Sequence, residues 1–336
     1  MTTFMTTLPA SLLSALLTAI SAGAFLLAAA GAQAQPAGQP IRMIVGLAPG
    51  GIADQAARIT APKLAEILGQ QVVVENRTGA GGAIAAEYVA KAAGDGTVIM
   101  MGFDGTLVTA PAVQPKQPYN VLTDLKPISK TADSPLLITG APNLPARNLK
   151  EFVALAKTKP GKFDYGTAGV GSTGHLVGEL IEARAGLFLT HIPYRGGGQA
   201  LIDVIGGQIS LMFAAAAASQ AHVKAGKAIG LATTGNKRLS ILPDVPTVAE
   251  SGVAGLETFE AYSWVGLLGP KDMPPQIVGK FHDASAKMLA DPAIRTRLEA
   301  IGAIPVGNTP AEFGAQIKAD LERWTRLARS ANIQPE

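Results

Sequence analysis

Four times in this chain an apolar run of strand length ends in a glycine cluster and opens into a helix candidate, at residues 49–51, 79–82, 169–174 and 196–198. The first is the clearest. Ile41 to Val45 reads as a strand and Pro49-Gly50-Gly51 as a turn. Ile52 to Leu68 then keeps apolar residues at helical spacing, with Pro62 as an expected kink or break. A strand that passes through a tight turn into a helix predicts parallel strands joined by crossovers. It also aims the unpaired N–H groups and the positive end of the helix at one place, which suits an anion.

The alternation continues along the chain. Gln71 to Glu75 is a buried-strand candidate, Ala83 to Ala92 a helix and Thr97 to Met101 a third strand. Residues 102–127 read as irregular, with Pro111, Pro115, Pro118 and Pro127. Leu136 to Thr139 is a strand where the chain crosses into a second block. There Phe163 to Thr167, Leu187 to Pro193, Gln208 to Phe213 and Ala228 to Thr233 are strands, separated by helices. One of these helices begins at Ala214, and another is opened by the capping pair Asn148 and Glu151. Phe259 to Leu268 is a strand suited to crossing back. The last helix starts with the capping box Thr309-Pro310-Ala311-Glu312 and carries the stripe Phe313, Ile317, Leu321, Trp324 and Leu327. The fold class is α/β with two lobes, each a mainly parallel sheet flanked by helices. Residues 35–138 with 262–336 make the first lobe and 139–261 the second, and a ligand cleft is expected between them.

Residues 1–34 stand apart. They contain no charged residue, run apolar from Leu12 to Ala30 and end in Ala32-Gln33-Ala34. This pattern predicts a secretory signal peptide cut after about Ala34 and an exported protein, although no Lys or Arg marks its start. An uncleaved membrane anchor is the alternative. There is no cysteine in the 336 residues, so disulfides, thiol nucleophiles and thiolate metal sites are excluded. A net charge of +3, without a Lys/Arg run, does not suit nucleic acid.

Enzyme motifs are weak. Gly79-Ala-Gly-Gly-Ala-Ile84 lacks the third glycine of a dinucleotide fingerprint. Ser172 lies in Gly-Val-Gly-Ser-Thr-Gly, which is not a nucleophile elbow. His175, His191, His222 and His282 show no paired spacing for a metal. Asp54, at a helix start, can meet a ligand or cap the helix. Trp264 reads as core or hinge packing before ligand platform.

Several stretches resemble one family. They are residues 41–51 with Asp54, residues 68–82, Ala168-Gly-Val-Gly-Ser-Thr-Gly-His-Leu176, His191-Ile-Pro-Tyr-Arg-Gly-Gly-Gly198, residues 242–252 and Ser263-Trp-Val-Gly-Leu267. In this order they resemble the Bug family, the periplasmic solute-binding proteins of tripartite tricarboxylate transporters. The resemblance implies a periplasmic-binding-protein (Venus flytrap) fold and no catalysis, cofactor or metal. It implies capture of a small carboxylate, di- or tricarboxylate or aromatic, for membrane permease subunits, by a protein read as a monomer. A carboxylate-presenting partner of a sensor kinase is the alternative. By position, the first-lobe contacts would be Ala48, Pro49, Gly50, Gly51, Ile52, Ala53 and Asp54, with Phe103 and Asp104. The second-lobe contacts would be Thr167, Ala168, Gly169, Ser172, Thr173, His175, Tyr194, Arg195, Gly196 and Ala214. Ala53 replaces the family's usual Thr and Ala214 its frequent Asp; the second loss points away from amino acids and toward a plain or aromatic carboxylate.

Overall fold

The computed structural model describes residues 38–194 and 196–333. The expected signal peptide and Arg195 lie outside the described residues. In chain order the strands are β1 (Ile41–Val45), β2 (Val72–Asn76), β3 (Val98–Phe103), β4 (Leu125–Gly140), β5 (Asp164–Thr167), β6 (Thr190–Pro193), β7 (Leu211–Ala215), β8 (Ile229–Thr233), β9 (Tyr262–Pro270) and β10 (Ile304–Pro305). The helices are α1 (Ile52–Leu68), α2 (Ala83–Ala90), α3 (Ala110–Val113), α4 (Leu149–Lys157), α5 (Thr173–Ala185), α6 (Gly197–Ile205), α7 (Ala216–Lys224), α8 (Pro275–Ala290), α9 (Pro292–Ala300) and α10 (Pro310–Ser330).

β1 lies between β2 and β3 and is parallel to both, and β5 relates in the same way to β6 and β7. These parallel groups are not two separate sheets. β4, 16 residues long, runs through both: Leu125 to Pro135 pair antiparallel with β9, and Leu136 to Gly140 with β7 and β8. Only the second part of this strand reads as such in sequence, because Pro127 and Pro135 interrupt its pattern. The register slips just after Pro127, where a missing N–H is tolerated at a bulge.

Register then decides where the strand ends fall. β3 ends at Phe103, opposite Val265 of β9, and Val265 lies opposite Ala132 of β4. β7 runs against β4 and ends at Ala215, opposite Leu136. The carboxyl ends of the two parallel groups therefore approach one stretch of β4, residues 132–136, from opposite directions. Ligands of open α/β sheets bind outside strand carboxyl ends.

Three local expectations need correction. α1 passes through Pro62 without a break; Pro62 and Arg58 are both exposed, so the carbonyl that loses its N–H partner can face water. β2 is a half-buried edge strand and not a buried one. Ala214 belongs to β7, paired with Leu137, and the helix starts two residues later at Ala216.

The main core cluster runs through both groups, from Ile44 and Leu107 through Leu136, Tyr165, Leu176 and Phe213 to Trp264, Phe313 and Trp324. Trp264 is 1% exposed, meets Phe313 edge to face at 5.0 Å between ring centres, and donates its indole N–H to Asp320 (3.1 Å). It is core packing between β9 and α10. A second cluster under α1 and α8 covers the other face of the first group, with Ile41, Met43, Val45, Leu64, Phe281 and Met288.

Candidate functional site

The first glycine loop is organised by a carboxylate. Gly50 sits at φ +89, in the left-handed region that favours glycine, and turns the chain into α1. Asp54, 2% exposed, accepts hydrogen bonds from the Gly50 N–H (3.0 Å), from Asn76 Nδ2 (2.9 Å) and from Arg58 Nε (3.0 Å). Asn76 Nδ2 also donates to the Leu47 carbonyl at 2.9 Å, which ties the loop to β2. Burial alone would raise the Asp54 carboxyl, but the Arg58, Gly50 and Asn76 bonds outweigh it and hold it below the usual carboxylate range. With its oxygens so engaged, Asp54 acts as an internal brace of the loop. The Gly51 N–H is also engaged, by the Ala48 carbonyl (3.2 Å). Ile52 and Ala53 hold first-turn amides that a helix cannot satisfy within itself. Ala48, Pro49 and Gly50 are exposed beside them.

The second loop is organised by neutral groups. Ser172 caps α5, its Oγ accepting from the His175 N–H at 3.4 Å. His175 Nδ1 accepts the Gly171 N–H (3.2 Å), so its ring proton is on Nε2, 3.5 Å from Glu179 Oε1. The buried His175 ring stacks on His191 at 3.8 Å, and His191 Nε2 is bonded to Thr167 Oγ1 (2.7 Å). Burial, helped by His175, pushes His191 down to about 4, so it is neutral at ordinary pH. Thr167 Oγ1 in turn accepts the Gly169 N–H at 3.3 Å. The Thr173 and Gly174 amides are again first-turn donors without helical partners. Gly174 is required here: a Cβ would lie 2.2 Å from the Phe213 carbonyl oxygen, so α5 packs directly on the β7 backbone.

Asp104 ties the end of β3 to the second loop and to β9. It follows β3, is 1% exposed, and accepts from Thr173 Oγ1 (2.7 Å), from Ser263 Oγ and from the Trp264 N–H (3.4 Å). Beside it, Gly46 packs against Gly82, and Gly82 against Thr106, whose hydroxyl bonds the Gly81 carbonyl (2.7 Å). Phe103 and Leu47 are half-buried on the core under α1, as is Ala215 from the end of β7. Of the expected site residues, Asp104 and Thr173 are joined directly, and the loop at 48–54 is tied instead to Arg58 and Asn76.

The other described residues of the expected set lie beside the second loop, where the Tyr194 N–H meets the Thr167 carbonyl. Tyr194 turns its hydroxyl away to Asp203 on α6 (2.7 Å), and burial pushes it up to about 12. Gly196, at φ +141, precedes α6, and Ala214 faces Gly197. Ala168 is exposed at the loop tip. Sequence reasoning missed Arg58, Asn76, His191 and Ser263, which brace the loops from behind. Only Arg58 carried a signal, four residues after Asp54 on α1. A separate groove of about 820 Å³, between Pro111–Asp124 and α10, contains none of the expected residues.

These features define a two-lobed α/β binding protein in which strand carboxyl ends of both parallel groups approach the shared strand β4. Residues 56–333 match the tripartite tricarboxylate transporter family receptor. The chain belongs to this family of solute-binding receptors, which are not enzymes. It is similar to a solved structure described as the periplasmic binding protein BugD, at 33% identity and a TM-score of 0.79, covering 88% of this chain and 99% of that one. It is similar to Rpa4515 of R. palustris with adipate, at 33% identity and a TM-score of 0.82, covering 88% and 98%. It is also similar to MatC from Rhodopseudomonas palustris with bound malate, at 30% identity and a TM-score of 0.77, covering 86% and 98%. Among the described residues, no helix is long and apolar enough to cross a membrane.

Proposed function

We propose that this protein captures a small dicarboxylate between its lobes in the periplasm and delivers it to the membrane permease subunits of its transporter. The observation that carries the reading is that the carboxyl ends of β3 and β7 approach residues 132–136 of β4, while α1 and α5 open their amino ends after β1 and β5 of the same two parallel groups. Each end offers two amides without helical acceptors, so one carboxylate can be met from each side. The adipate and malate bound by the two relatives support a chain of four to six carbons with an acid at each end. Residues 35–138 with 262–336, and 139–261, serve as the lobes that close on it, and export with cleavage near Ala34 places them in the periplasm.

A thermal-shift series tests this directly. At a hundredfold excess over its dissociation constant, adipate or malate should stabilise the protein by about 2.7 kcal/mol, visible as a raised melting temperature. Monocarboxylates of equal length should do much less, and sugars nothing. A sugar or an amino acid that raises the melting point while both dicarboxylates fail would overturn the reading. Two permease genes beside the coding sequence would support delivery; a sensor kinase gene in their place would favour the sensing role.

A further inference from the structure

We infer that Asp104 makes carboxylate binding proton-coupled: its side chain takes up a proton when an anion occupies the crossing point between the lobes. The inference rests on the carboxylate reading above and extends it to one residue and one condition.

Its basis is the contrast between a joining position and neutral surroundings. Asp104 links β3 to α5 through Thr173 and to β9 through Ser263 and Trp264. All three donors are uncharged. Ser134, opposite Ser263 across the β4–β9 ladder, is a further buried hydroxyl whose Oγ has no protein partner. The ionisable groups on the surrounding elements are otherwise engaged. On α5, His175 and Glu179 face each other; on α10, Asp320 accepts the Trp264 indole and lies 3.5 Å from Arg323; on β4, Lys130 pairs with Asp133 at 2.9 Å. Tyr262 of β9 hydrogen-bonds the Asn236 N–H, and Glu87 of α2 pairs with Lys91. Among the described residues no cation reaches Asp104.

A carboxylate in such a place holds its charge poorly. Burial raises it to about 6, with a small further push from Asp320, while the three hydrogen bonds pull it partly back. Thr173, its partner, is the first residue of α5, and the positive end of that helix is where the ligand carboxylate is proposed to sit. Two anions at one helix end disfavour each other, so ligand binding raises the Asp104 pKa further. By linkage, affinity is greatest at pH below the unliganded pKa and declines as pH rises toward the liganded one. The unliganded fold follows the same sign. A carboxyl raised above its unfolded value contributes most below about pH 4, and that contribution is lost as pH rises through about 6.

The test is calorimetry of the full chain with adipate and with malate, each at about pH 6.5 in two buffers of different ionisation enthalpy. Wild type should take up a fraction of a proton per molecule bound and lose about tenfold in affinity from about pH 5.5 to about pH 8. D104N should show no uptake from this site and a flat profile over the same range. T173V, which removes a donor to the charged form, should move the wild-type transition to higher pH, and it serves if D104N does not fold. Melting curves without added acid supply a ligand-independent comparison, with wild type falling relative to D104N as pH passes about 6. Equal proton uptake in wild type and D104N, or parallel melting profiles, overturns the inference. No binding heat from either acid at any pH, with diverging melting profiles, overturns the carboxylate reading and the coupling with it. Asp104 would then stand as a buried ionising group alone.

Discussion

The loop after β1 and the loop after β5 solve the same problem with opposite chemistry. Each opens a helix from a glycine turn and must hold its own glycines in place. The first uses an acid, Asp54, and cancels its charge with Arg58 one turn along the helix. The second uses no acid: Ser172 caps, His175 takes the Gly171 N–H at Nδ1, and Thr167 holds Gly169. The difference teaches that the acidic brace at a helix start is held here with a cation attached to it, Arg58. Asp104 has no such cation among the described residues, and this sets it apart from Asp54.

The largest break in the comparison should come from the second loop. In G174A the new methyl would collide with backbone, the Phe213 carbonyl at 2.2 Å, which cannot rotate aside. Overpacking of this kind costs about 3 kcal/mol. G50A in the first loop meets open space and suffers only the positive φ, about 1 to 2 kcal/mol. Urea midpoints at unchanged slope would rank the two. A smaller loss in G174A than in G50A would mean that α5 is not seated on β7 as described.

D54N should follow. Asparagine keeps the shape, loses the charge that holds Arg58, and turns an NH2 toward groups that are themselves donors. A loss of about 1 to 3 kcal/mol is expected. The sign with pH runs opposite to that of Asp104. A depressed carboxyl contributes stability above its unfolded pKa of about 4 and loses it as pH falls below that. Acid unfolding of D54N should therefore start from a lower plateau and change less with pH than wild type. An unchanged plateau would show that the Arg58 pairing, half exposed as it is, cancels nothing.

How much of this was legible follows the range of the forces involved. Capping boxes, glycine turns and the α1 stripe are local, and they placed the glycine turns and most elements within a few residues. The long crossing strand was hidden because Pro127 and Pro135 break its local pattern, and only its partners β9 and β7 reveal it. The braces behind the loops were hidden for the same reason. Asn76 lies 22 residues from Asp54, His191 lies 24 from Thr167, and Ser263 lies 159 from Asp104. No spacing rule reaches that far. The resemblance supplied Asp104 as a site position, while its role as a joint between segments is a product of the fold.

The smallest effect sharpens the contrast most. Ser172 caps α5 over a long bond of 3.4 Å, so S172A should cost the low end of the capping range, about 0.5 to 1 kcal/mol. Because neither partner ionises, the loss should be the same at about pH 5 and about pH 8, whereas D54N varies with pH over the acid range. Dicarboxylate affinity should fall only slightly, since the Thr173 and Gly174 amides remain. If S172A instead costs more than D54N, the second loop depends on its serine as the first depends on its ion pair. The neutral loop would then be the more tightly built of the two, with His175 and Thr167 unable to hold it alone.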